Sequence, residues 1–209
     1  MVDEVPDPQK FVSIIVKIHQ ESMAKSPIGN FGFDVTTHLA NIPCDNDWEE
    51  TWEKFFAKAM KRMLEVDELS HGHDDEEFEE LKEKLLTKVI PRLLRPLESG
   101  GLKVTPCLVH SNLWPGNCMH DADTDEVMIF DSCAYRGHNE SDLGSCRAPR
   151  YRMGKPFLKE YQRRMGISYP EEDWDDRNAL YAIAKDEMKR MSEKYQTGFD
   201  DFKEVDSQD

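Results

Sequence analysis

A chain of 209 residues with 27 Lys and Arg against 42 Asp and Glu carries a formal net charge of -15, with an isoelectric point near 4.9. Charge of that sign repels phosphate backbones and anionic headgroups, which argues against nucleic-acid and membrane-surface binding. No apolar run approaches the roughly 20 residues that a membrane-spanning helix needs, and the length suits one domain, 1–209, with an ordered core over 8–196 and a frayed acidic tail over 197–209.

Asp7 before Pro8 has the form of an N-cap with proline in the first helical position. Phe11, Ile14, Ile15 and Ile18 then recur at helical spacing, which predicts an amphipathic helix ending near Met23. Ser26 to Phe33 is turn chemistry. Its Gly29-x-x-Gly32 invites comparison with a phosphate cradle, but no strand precedes it and the next lysine is Lys54, so that reading is rejected. Asp47 with Glu50 forms a capping-box pattern. Trp48, Trp52, Phe55, Phe56, Ala59, Met60 and Met63 make an apolar stripe beyond it, read as core rather than as a stacking platform. Leu69 to Asp75 reads as a polar loop. Within it, His71, His73, Asp74 and Asp75 offer ligands to a divalent ion, although an acidic loop is the plainer account. Acidic residues 74–77 then open a helix carrying Phe78, Leu81, Leu85, Val89, Leu93 and Leu97, which Pro91 should kink and Gly100-Gly101 should stop.

From there the period changes. Cys107-Leu108-Val109, Cys118-Met119-His120 and Val127-Met128-Ile129-Phe130 read as short strands, with 121–126 turning between the last two. Arg147, Arg150 and Arg152 form a basic cluster that either pairs with surface carboxylates or meets an anionic substrate. Helices follow over about 156–165 and from Pro170 onward, the latter carrying Trp174, Tyr181, Ala184, Met188, Met191 and Tyr195. Five cysteines, Cys44, Cys107, Cys118, Cys133 and Cys146, include no C-x-x-C pair, so free thiols in a reducing, cytoplasmic setting are expected. Cys118 and Cys133 flank the segment of greatest interest and read as inert, with redox sensitivity the alternative.

That segment is His110-Ser111-Asn112-Leu113-Trp114-Pro115-Gly116-Asn117, followed by Phe130-Asp131. The spacing is that of a kinase catalytic loop and its metal-binding carboxylate, H-x-D-x-x-x-x-N then F-D, with Asn112 where the Asp belongs. A kinase needs a carboxylate there to orient the acceptor hydroxyl and take its proton, an Asn farther on for Mg²⁺, and a second Asp between metal and phosphates. Asn117 and Asp131 supply the candidate metal ligands, although Asp131 taken alone would also serve to cap a turn. An amide at 112 hydrogen-bonds an acceptor but has no basic lone pair. Loss of a general base typically lowers rate by ~10²–10⁴.

The longer string, Leu108 to Asn117, then Ile129-Phe130-Asp131, then Tyr135-Arg136-Gly137 to Glu140-Ser141-Asp142-Leu143-Gly144, resembles the fructosamine/ketosamine 3-kinase family. Gly29 to Thr37, Asn46-Asp47-Trp48, Trp52 to Phe56 and Ile18-His19 are also similar to it, so the likeness runs from about residue 8 to 184. The resemblance implies an α+β, mostly α, protein-kinase-like fold of the aminoglycoside/choline kinase type. This chain would be its C-terminal lobe, with a small β-hairpin carrying the catalytic loop. It also implies ATP- and Mg²⁺-dependent phosphorylation of the 3-hydroxyl of a ribulosamine or fructosamine, on a glycated protein or a small ketosamine. By position, Asn117 and Asp131 would hold Mg²⁺, His110 would brace the loop, and residue 112 would be the base. Trp114, Phe31, Phe33 and Thr36 would border the acceptor pocket. Three departures stand out: Asn112, Ser111 for a glycine, and no preceding N-terminal lobe with the strand Lys and helix Glu that grip ATP. The expectation is weak or no activity for this chain, with a noncatalytic binding module or a fragment of a complete kinase as alternatives.

Overall fold

A computed structural model describes residues 5–72, 76–121, 123–124, 126–182 and 185–202. Helix α1 (Pro8–Ser22) starts as expected: the Asp7 carboxylate accepts from the Gln9 and Lys10 N–H groups at 3.0 and 2.9 Å, satisfying donors that the first turn leaves open. Strands β1 (His38–Leu39) and β2 (Ile42–Pro43) form a short antiparallel ladder. Helix α2 (Trp52–His71) begins later than the capping-box pattern predicts, because Thr51 is its N-cap and accepts from the Lys54 N–H at 3.3 Å. Trp48 therefore lies outside the helix, half-buried, while Trp52 and Phe55 are core. The helix also ends later. The residues expected as a polar loop from Leu69 continue it through His71, to Gly72 with a φ of 88°. His73, Asp74 and Asp75 lie outside the described residues.

After α3 (Glu76–Lys84), a π turn over Leu85–Val89 leads into α4 (Ile90–Leu94) and a 3₁₀ turn, Arg95–Glu98. This is the form taken by the kink expected at Pro91: the Ile90 N–H reaches back to the Leu85 carbonyl, just before a proline that has no N–H to offer. The stripe Leu81, Leu85, Val89, Leu93 and Leu97 is buried throughout. Strands β3 (Cys107–Val109), β4 (Cys118–His120) and β5 (Val127–Ile129) appear where expected, with Phe130 excluded. The single hairpin expected to carry the loop is split in two. β4 pairs with β5, while β3 pairs antiparallel with β6 (Tyr135–Gly137), a strand without a counterpart in the sequence reading. The 110–117 loop thus joins two ladders.

A 3₁₀ turn (Asn139–Leu143) leads to α5 (Gly144–Arg147), followed by α6 (Lys155–Met165). The final expected helix is α7 (Trp174–Ala182) and α8 (Lys185–Lys194), with Ala184 outside the described residues. Residues 198–202 are not frayed. Phe199 and Phe202 stack at 5.5 Å, and the Arg95 and Arg92 guanidinium groups lie 4.9 and 5.3 Å from their rings.

Two apolar clusters form the core. One gathers Trp52, Phe55, the α3–α4 stripe, Leu180 and Met191; the other gathers Phe11, Ile15, Leu113, Leu143, Phe157 and Tyr161. Buried polar groups accompany them, among them a buried ion pair and a buried histidine. Glu140 and Arg177 pair at 2.9 Å with side chains no more than 1% exposed, and Arg177 also donates to the Ser168 and Pro170 carbonyls. Burial alone would raise the Glu140 carboxyl, but the Arg177 guanidinium and the Ser168 N–H outweigh it and hold it below its usual range. His138 lies between Tyr181 Oη at 3.0 Å and Ser168 Oγ at 2.9 Å. The Tyr181 hydroxyl also accepts from Trp52 Nε1 at 3.0 Å, tying the imidazole to the aromatic core.

Burial pushes His138 down to about 4. A depressed histidine stabilises the fold fully above its unfolded value of about 6.5, and that contribution is lost as pH falls toward 4, amounting to ~3 kcal/mol. The urea midpoint should therefore drop from pH 7 to 5, and in His138→Gln that slope should flatten.

Candidate active site

The loop begins at the end of β3 with a sharp reversal, where Ser111 takes a φ of 60°. That left-handed conformation costs a non-glycine residue roughly 1–2 kcal/mol, and one side chain secures it. The Asp142 carboxylate, in the 3₁₀ turn after β6, accepts from the His110 N–H at 2.8 Å and the Ser111 N–H at 2.6 Å. The same carboxylate accepts from His19 Nε2 of α1 at 2.9 Å, and the other His19 nitrogen meets Tyr161 Oη of α6 at 2.7 Å. His110 spans the loop: its Nε2 donates to the Phe130 carbonyl at 3.0 Å, and its Nδ1 accepts from the Asn112 N–H at 3.3 Å.

Asn112, Asn117 and Asp131 converge. Asn112 Nδ2 donates to the Asp131 carbonyl at 3.0 Å and approaches its carboxylate Oδ2 at 3.4 Å. Asn117 Nδ2 donates to the Asn112 carbonyl at 2.9 Å and approaches the Asp131 carbonyl at 3.4 Å. Asp131 is exposed and itself left-handed, with a φ of 59°. Because both Asn117 Nδ2 hydrogens are used, its Oδ1 is an acceptor that could, with the Asp131 carboxylate, offer hard oxygens to a cation. Among the described residues no cluster of three or more His, Cys, Asp or Glu is placed to hold a metal by itself.

Beside the loop is a cleft of about 330 Å³ bordered by Asn112, Trp114, Leu39, Arg150 and Tyr151. The Trp114 ring lies 5.7 Å from that of Tyr151 and covers Gly116 so closely that a Cβ there would collide with it. Of the other residues expected at an acceptor pocket, Phe31 is 1% exposed and packs against Trp52 at 5.7 Å, so it is core. Phe33 is half-buried and Thr36 exposed, and neither borders the cleft. The backbone offers no phosphate cradle at 31–33: the Phe31, Gly32 and Phe33 N–H groups are bound to the Glu49, Arg136 and Asn46 carbonyls. Arg147 pairs with Asp175 and Glu187, the surface alternative for the basic cluster. Arg150 instead faces the cleft, its guanidinium 4.6 Å from the Tyr151 ring. Asp142, His19 and Leu39 carry no local signal of such roles, whereas Arg150 belongs to the basic cluster for which an anionic substrate is the alternative partner. Asp142 and His19 are visible only as members of the longer string.

The sequence model described as fructosamine kinase matches residues 3–196. The chain belongs to the fructosamine kinase family. Mouse ketosamine-3-kinase is 34% identical over 123 residues, 59% of this chain and 37% of the mouse protein. The chloroplastic protein-ribulosamine 3-kinase of Arabidopsis thaliana is 26% identical over 154 residues, 73% of this chain and 43% of the plant protein. The chain thus spans less than half the length of these two relatives. Among solved structures, a putative fructosamine-3-kinase from Haemophilus somnus superimposes with a TM-score of 0.65 at 16% identity, covering 90% of this chain and 65% of that one. A second, from Thermobifida fusca, gives 0.61 at 20%, covering 87% of this chain and 59% of that one. The fold is therefore the kinase-like fold of this family.

If Asp142 secures the loop, Asp142→Asn should lower stability by ~2–3 kcal/mol through loss of charged acceptors. It should also speed hydrogen exchange at the His110 and Ser111 amides tenfold or more. Unchanged exchange at those two amides would show that the loop is held by something else.

Proposed function

We propose that this chain supplies the acceptor-side lobe of an ATP-dependent ketosamine 3-kinase, acting on ribulosamine or fructosamine adducts of protein amines or on small ketosamines. In the same reading its phosphoryl transfer is slow, because Asn112 stands at the base position. The observation that carries it is the convergence of Asn112, Asn117 and Asp131 beside one cleft.

A Mg²⁺ ion, when bound, would neutralise charge gathering on a transferring phosphoryl group. The residues around it have separate tasks. Asn117 Oδ1 and the Asp131 carboxylate would hold the cation; His110 fixes the carbonyl that precedes Asp131; the Trp114 ring forms a wall for the sugar. Asn112 orients the acceptor hydroxyl by hydrogen bonding but leaves the proton to solvent or to the phosphate itself. Phosphoryl transfer depends mainly on positioning and charge neutralisation, so turnover falls by ~10²–10⁴ instead of vanishing. No Lys–Glu pair borders this cleft among the described residues, so the cleft alone supplies little grip on the nucleotide.

A noncatalytic module that binds ketosamines is the second reading. It is favoured by the Asn112 amide, which already donates to Asp131. Measuring ADP release with a fructosyl-lysine acceptor separates the two. Asn112→Asp should raise turnover 10²–10⁴-fold over the native chain. Equal turnover in both would overturn the role given to Asn112, and silence in both with measurable acceptor binding would make the chain a binder.

A further inference from the structure

Three of the five thiols have the surroundings of inert core groups. Burial pushes Cys118 up to about 11, Cys146 up to about 12 and Cys107 higher still. Cys44 and Cys133 differ. They lie 89 positions apart in sequence, yet their Sγ atoms are 3.2 Å apart. Cys133 is 2% exposed, whereas Cys44 is half-buried, so one sulfur of the pair is accessible from outside and the other is behind it. Thr37 Oγ1 lies 3.7 Å from Cys133 Sγ and completes a small polar patch. We propose that Cys44 and Cys133 form an intramolecular dithiol site that hydrogen peroxide oxidises to a disulfide.

The chemistry balances with one peroxide. The Cys44 sulfur attacks a peroxide oxygen, the O–O bond breaks, and Cys44 becomes a sulfenic acid as one water leaves. The Cys133 sulfur then attacks the Cys44 sulfur, the S–OH bond breaks, and a second water carries away the hydroxyl with the Cys133 proton. Two thiols are oxidised and one peroxide is reduced to two waters. The sulfurs need to close by only about an ångström to reach the ~2.05 Å of a disulfide. Contact with Cys133 draws Cys44 down to about 7 despite its partial burial, in keeping with its role as the attacking sulfur.

The bridge would couple two parts of the site. Cys44 continues the 35–46 segment, in which Asn46 Nδ2 donates to the Val35 carbonyl and to Thr37 Oγ1, and the Cys44 N–H donates to the Thr37 carbonyl. Cys133 follows Asp131 by two residues and donates its N–H to the His110 carbonyl. Oxidation would therefore fasten the 35–46 segment to the base of the catalytic loop. The proposal rests on this geometry and stands whichever reading of the chain's activity holds.

Thiol counting and peptide mapping of the reduced full chain, treated with a small excess of hydrogen peroxide, test it. Of the five thiols, two should disappear, with intact mass falling by roughly 2 Da and no disulfide forming between chains. Digestion should yield one peptide pair joining Cys44 to Cys133, and dithiothreitol should restore all five thiols. Under the same treatment, Cys44→Ser should lose no mass. Retention of five thiols, a bridge between chains, oxygen added at Cys44 without a linked peptide, or a bridge persisting in Cys44→Ser would each overturn the proposal. The wild-type map decides the matter even where the variant folds poorly.

Discussion

One carboxylate, that of Asp142, accepts from three N–H groups on two separate pieces of chain, and the shape of the site follows from it. Its oxygens take the His110 and Ser111 amides and the His19 imidazole at 2.6 to 2.9 Å, in surroundings where the residue is only 4% exposed. Charge-assisted bonds are the strong ones, and a buried carboxylate without them would be costly. Together they outweigh the left-handed conformation at Ser111. That reversal turns the chain away from the line of β3 and across to Asp131. Any extended residue at 111 would carry Asn112 past the place where it meets Asp131 and Asn117.

The grip works only because the turn containing Asp142 is itself immobilised. Leu143, next in sequence, is 1% exposed in the cluster with Phe11 and Phe157, and Asn178 Nδ2 of α7 donates to its carbonyl at 3.1 Å. Gly144 follows, and a Cβ there would strike the Tyr181 backbone, so α5 packs directly against α7 only with glycine at this position. On the other side, Tyr161 holds His19, and Asn139 Nδ2 donates to the same hydroxyl at 2.9 Å. Helices α1, α6 and α7 thus converge on one turn, and through it on the loop. Apolar burial supplies the stability, and the polar contacts determine which way the loop faces.

What could be read from the sequence divides along the same line. Long amphipathic periods and local caps are properties of neighbouring residues, and they located α1, the Leu81–Leu97 stripe and α6 within a residue or two. Contacts between distant segments left no such trace. β6 is three residues long, and its pairing with β3 depends on Gly137, where a Cβ would press on the Tyr135 and Trp52 rings. Asp47 loses the cap of α2 to Thr51 because the intervening chain is drawn into a bridge between Glu49 and Phe31. The family resemblance implies a pocket role for Phe31, but that same bridge buries it. The 110–117 loop was legible because its spacing is local, whereas Asp142 and Cys44 are recruited from 31 to 32 and from 89 positions away from the groups they serve.

The amide at 112 has a structural consequence as well as a chemical one. With Asn112, a donor faces the Asp131 carboxylate at 3.4 Å and the Asp131 carbonyl at 3.0 Å. With aspartate, two carboxylates would face each other there, so the loop would lose these donated bonds and gain like-charge repulsion. With asparagine, the loop holds its shape through its own hydrogen bonds. On the proposed function, the exchange of one oxygen for one nitrogen therefore trades proton transfer for local hydrogen bonding, with His110, Asn117 and Asp131 still joined around residue 112.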